Sequence, residues 1–239
     1  MFVPSYVPPP IEIPNNVSQE RYAVRLQFIR ATLHRFLIAL MIVFLIAAAP
    51  PFGLPVRSTL AATLTLLVSM SIVRRLGKGR RLEVALSTGM LLPFLVSFGL
   101  TLNGLEGLNL PIGLFMLTFA MAWLYATTCG RDLSFIAMFF LPALVGSALW
   151  VVADAVGLVP GVYRWTMPAL NVATLFYFVY DLSALLTRRR LGEEMGAVAD
   201  LFRDLLNVFT YWARAFRYWK RYPLWTRSST SDASTGKLS

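Results

Sequence analysis

The chain has a single cysteine, Cys129, and a single histidine, His34. One cysteine excludes an internal disulfide, and one of each argues against a zinc site, which draws on several such donors. Charge is also scarce. Only 14% of the 239 residues are charged, where a soluble chain carries about 25%. Neither strand alternation nor an internal repeat is present. The opening "MFVPSYVPPPIEIPNN" lacks a basic start and a continuous apolar stretch, so it is not expected to be a cleavable leader.

What the chain has is apolar sequence, 57% hydrophobic, in runs close to the 20 or so residues that cross a bilayer. This predicts an all-α integral membrane protein with one polytopic domain. Six spans are expected, near Phe36–Leu54, Arg57–Val73, Glu83–Leu102, Ile112–Cys129, Leu133–Val156 and Thr166–Leu186, with Pro142 tolerated inside the fifth. A seventh, less apolar helix is expected from about Gly196 to Tyr218. The segment "SQERYAVRLQFIRATLHRF" reads as a basic amphipathic entry ahead of the first span. Residues 1–19 read as a proline-rich, unpacked tail, 20–222 as the membrane domain, and 223–239 as a polar, disordered tail.

Net charge is +10, but the basic residues sit in short clusters beside apolar runs. That is the signature of membrane orientation rather than of nucleic-acid binding. The N-terminal entry, the second loop "RRLGKGRR" and the sixth loop with Arg188, Arg189 and Arg190 are richest in them. The N-terminus and the even loops are therefore expected on the cytoplasmic side of a cell inner or plasma membrane. Asp132 is expected to cap the fifth span.

Charges inside spans are costly and therefore informative. Asp181 lies in "FYFVYDLSALLTRRR". Asp200, Asp204, Asn207 and Tyr211 recur at i, i+4, i+7, i+11, one face of the seventh helix, with Arg203 between them. Asp181 lies roughly 9 Å before the connecting loop and Asp204 roughly 12 Å after it, at 1.5 Å per residue. An antiparallel hairpin would bring the two carboxylates to one depth. Two carboxylates in one dry site do not both ionise cheaply, so such a pair is expected to share a proton. The bland alternatives are a helix-end carboxylate snorkelling to the triple arginine for Asp181 and an intrahelical partner of Arg203 or Asn207 for Asp204.

Three stretches, "GRDLSFIAMFFLPALVG", "FYFVYDL" and "ADLFRDLLNVFTYWARAF", taken in order and spacing, resemble the Bax inhibitor-1 family, also called the transmembrane Bax inhibitor motif family, in a bacterial-type form. The likeness runs over roughly residues 20–218. It implies six helices around a central seventh and a calcium leak that responds to pH. It also implies that Asp181 and Asp204 are the paired sensor and transient calcium ligands, and that an arginine latch falls on Arg74, or on its neighbour Arg75. Calcium ions, protons and the lipid bilayer are then the partners, with no cofactor and no enzymatic activity. The polar Asp200 and Arg203 depart from the family pattern, and Arg203 could compete with Arg74 for Asp204. Other readings are a non-conducting interaction or scaffold protein, a proton-coupled transporter, and an intramembrane aspartyl protease. The last is disfavoured because no Gly-x-Gly-Asp surrounds Asp204.

Overall fold

The first helix, α1 (Tyr22–Ala47), starts well before the expected first span. No helix breaker separates the basic "YAVRLQFIRATLHR" from the apolar run after it, so entry segment and span form one 26-residue helix. It ends at "APPFGLP", where consecutive prolines remove the donors a helix would need. Asn103 satisfies the carbonyls left open there, its Nδ2 donating to the carbonyl oxygens of Ile46, Ala47 and Ala49.

The structure is a computed structural model and describes residues 13–77, 80–105, 109–129, 133–158, 165–206 and 215–220. After α1 come α2 (Val56–Gly77), α3 (Arg81–Asn103), α4 (Asn109–Thr128), α5 (Phe135–Ala155), α6 (Thr166–Arg188) and α7 (Glu194–Leu206). Residues 215–220 are helical too, and no strand occurs among the described residues. Helices α1, α2, α3, α5 and α6 are each long and apolar enough to cross a membrane, and α4 carries a shorter apolar stretch. Large apolar side chains such as Leu64, Val68, Ile72, Leu92, Leu144 and Val152 point outward. This suits a lipid surround, in which every backbone donor is satisfied within its own helix. The fold is that of a multi-pass helical membrane protein.

The spans differ in how far protein surrounds them. Of the apolar stretch of α6, 67% is buried, against 11% for α2, so α6 is an inner helix and α2 an outer one. Phe36, Phe119, Phe178 and Phe202 interlock α1, α4, α6 and α7 at ring-centroid distances of 4.8–5.4 Å. Hydroxyls join α2 to α3. Thr63 Oγ1 lies 2.9 Å from Ser97 Oγ and 3.1 Å from Thr101 Oγ1, and Ser97 Oγ donates to the Thr59 carbonyl. Such contacts are the usual polar glue between apolar helices.

Two expectations about the ends of elements change. Ser134 caps α5, its Oγ accepting from the Ala137 amide; the expected cap, Asp132, lies outside the described residues. Residues 13–20 are packed rather than loose. Ile13, Asn16 and Val17 are buried. The Ile13 amide donates to the Thr187 carbonyl and the Val17 amide to the Arg189 carbonyl. This N-terminal strap, with a single 3-10 turn at Val17–Gln19, satisfies carbonyls that the end of α6 leaves open. Residues 1–12, the C-terminal tail 223–239 and the far part of the expected seventh helix, 207–214, lie outside the described residues.

Candidate functional site: a buried arginine–carboxylate network

The turn between α6 and α7 decides where the charges go. Arg188 closes α6, and Arg189 follows in an extended conformation. Gly192, at φ 85°, supplies the left-handed step that turns the chain back. The Arg190 amide donates to Glu193 Oε2, and α7 begins at Glu194. This tight hairpin brings Asp200, Arg203 and Asp204, spaced along one face of α7, alongside the last turns of α6.

The result is a continuous network of four arginines and four carboxylates, none with a side chain more than 10% exposed. In one half, Arg188 Nη1 lies 3.0 Å from Asp181 Oδ1 and 3.1 Å from Asp204 Oδ2. Arg203 grips the other oxygen of Asp204, its Nε and Nη2 both 2.8 Å from Oδ1. In the other half, Arg189 Nε lies 2.7 Å from Asp200 Oδ2, and its Nη2 3.0 Å from Glu83 Oε1. Arg74 Nη1 lies 3.0 Å from Glu83 Oε2 and donates from Nη2 to the Arg188 carbonyl. Arg203 Nη1, 2.8 Å from Asp200 Oδ1, joins the two halves.

Burying ions this deeply costs several kcal/mol each, and only dense pairing offsets it. Here cations and anions balance in number and each carboxylate meets at least one guanidinium. Burial works against the charge of Arg189. The carboxylates of Asp200 and Glu83 outweigh it, and its pKa stands above the ordinary guanidinium value. Space is also arranged. A Cβ at Gly196 would fall 2.8 Å from Arg189 Nη1, and one at Gly77 would collide with the Glu83 side chain.

Asp181 and Asp204 come to one site, held together by a guanidinium between them. That guanidinium belongs to Arg188. Arg74, the latch implied by resemblance, is buried and directed at Glu83 and Asp200 instead, the latter at 3.5 Å. Arg75 is exposed. Asp200 and Arg203 both enter the network, and Arg203 does bind Asp204; Asn207 lies outside the described residues. As calcium ligands, Asp181 and Asp204 present their facing oxygens to Arg188. No group of three or more His, Cys, Asp or Glu side chains that could hold a metal occurs among the described residues.

Arg188 and Arg189 read in the sequence as markers of the cytoplasmic side, and Glu83 as the start of a span; only the alternative of Asp181 reaching the triple arginine touched the network, and Arg188 is the arginine it meets. The spacing of Asp181 and Arg188, seven residues and two helical turns apart on one face, was the available signal for Arg188. Nothing local indicates Glu83 or Arg189, which meet across 106 positions. Comparison with known proteins finds no matching family model, no matching curated protein and no matching solved structure.

Proposed function

We propose that this chain is a pH-responsive ion-leak protein of the Bax inhibitor-1 type, passing calcium across a cell inner or plasma membrane, with its N-terminus cytoplasmic and a seven-helix bundle closing around the last helix. The observation that carries this reading is the single Arg188 Nη1 shared by Asp181 and Asp204. Two carboxylates on adjacent helices depend on one cation. Protonating either removes a charge that holds α6 to α7. The hold is full while both are ionised and weakens when a proton neutralises one of them, so acid favours opening. Calcium prefers oxygen ligands, and Asp181 and Asp204 bring carboxyl oxygens from two helices to one place.

The test is calcium flux into dye-loaded vesicles bearing the purified protein. Flux should rise on acidification in the wild type. In the double variant Asp181→Asn, Asp204→Asn it should no longer respond to pH; a response that persists there would remove the pair as sensor. The complete pairing of Arg189 favours a second reading, a non-conducting interaction protein whose network is purely structural. Wild-type flux no greater than that of protein-free vesicles at every pH would select it.

A further inference from the structure

The two aspartates of the network are not equivalent. Asp204 receives N–H donors on both oxygens, two from Arg203 on Oδ1 and one from Arg188 on Oδ2. Asp181 receives one, from Arg188 on Oδ1. Its Oδ2 has no hydrogen-bond partner, and neither do Tyr177 Oη and Arg188 Nε, all three buried. Tyr177 and Asp181 are each 1% exposed. Positions 177, 181 and 188 fall on one face of α6. One face therefore carries a hydroxyl, a carboxylate oxygen and an N–H, each lacking the partner that buried polar groups ordinarily have. Buried groups of this kind are the ones an internal water ordinarily satisfies.

We propose that Tyr177, Asp181 and Arg188 form a water-binding proton-uptake site in which Asp181 accepts the proton, Asp204 stays ionised between two guanidiniums, and Tyr177 is a positioning residue. This rests on the reading of the pair as a proton sensor and assigns its roles. A proton delivered by hydronium adds to Asp181 Oδ2, leaving water. The new O–H donates through the bound water to Tyr177 Oη, and Arg188 then serves Asp204 alone. The charged groups acting on Asp181 are Asp204, Arg188, Asp200 and Arg203. Arg74 and Glu83 lie one ion pair further off, beyond Asp200 and Arg189. Tyr180 shares the face region, its ring 5.7 Å from that of Tyr177, and Tyr218 packs on it at 5.6 Å. Of the other elements on α6, α1 carries Tyr22, Arg25, Arg30, His34 and Arg35, α4 carries Tyr125, residues 215–220 carry Arg217 and Lys220 besides Tyr218, α5 carries only Asp154, near its far end, and the Val17–Gln19 turn has no titratable side chain.

Infrared difference spectroscopy of the full chain in lipid, titrated with acid, reads the carbonyl stretch of a newly protonated carboxyl. One such band should appear in the wild type, vanish in Asp181→Asn and persist in Asp204→Asn. Tyr177→Phe should shift its frequency and move its midpoint by about one pH unit, the worth of one hydrogen bond. A band lost in Asp204→Asn and kept in Asp181→Asn would overturn the assignment while leaving the sensor intact. A band absent from the wild type at every pH would overturn the sensor reading itself. A band unmoved by Tyr177→Phe would remove Tyr177. That variant deletes one atom and no charge, so it tests the link between Tyr177 and the protonated carboxyl even where an asparagine variant does not fold.

Discussion

Arg189 lays its guanidinium along the carboxylate of Glu83, Nη2 to Oε1 at 3.0 Å and Nη1 to Oε2 at 3.3 Å. Both side chains are 0% exposed. This paired contact ties α3 to the α6–α7 turn and sets the position from which α7 departs. Glu83→Gln keeps the shape and removes the charge, leaving Arg74 and Arg189 to Asp200. Breaking a buried pair from one side costs about 3 kcal/mol. Thermal unfolding in detergent should show that loss, and a variant as stable as wild type would mean that water reaches the pair.

Arg188 and Arg74 should differ in effect. On the proposed function, Arg188→Met frees Asp181 and Asp204 from their common cation, so neutral-pH calcium leak should rise several-fold and its acid response should flatten. Arg74→Met touches Glu83 and Asp200, so the acid response should survive at lower stability. The opposite ranking in the vesicle assay would return the latch to Arg74.

Gly196 is a spatial requirement. An alanine there would place its Cβ 2.8 Å from Arg189 Nη1 and 3.1 Å from Val84 Cγ1, and overpacking of this kind costs about 1–3 kcal/mol. Gly89, where a Cβ meets nothing within 4 Å, is the matched control and should accept alanine without loss. Paired unfolding midpoints check both.

The N-terminal strap hangs on Asn16. Its side chain donates to the Ile13 carbonyl and accepts from the Ser18 amide. Asn16→Ala should cost about 1 kcal/mol locally, which corresponds to roughly fivefold faster opening. Hydrogen exchange at the Ile13 and Val17 amides, which donate into the end of α6, should accelerate by about that factor while the α6 core stays protected.

The spans were legible because twenty apolar residues have few other uses. The boundaries expected for the second to sixth spans fall within a few residues of α2 to α6. The start of α1 was not, because basic residues every four or five positions resemble a surface helix until the packing of Phe28, Ile29 and Leu33 makes it a core one. For the site, the cost of a charge inside an apolar span picked out Asp181, and helical spacing picked out the face of Asp200 and Asp204 with Arg203 between them. Composition could not tell Arg188 and Arg189 from the exposed arginines around them. A buried arginine differs from a topology marker only in its partners, and these come from α3 and α7.

The network also carries an order of assembly. Membrane helices enter the bilayer as they are synthesised, so Arg74 and Glu83 arrive first, already able to neutralise each other. Asp181, Arg188 and Arg189 follow with one positive charge in excess. Only α7, bringing Asp200, Arg203 and Asp204, supplies the missing negative charge. Until that helix is made, the preceding six hold an arginine without a counter-ion. A chain ending before Asp200 would keep that excess charge, and a buried charge left without its partner is strongly destabilising.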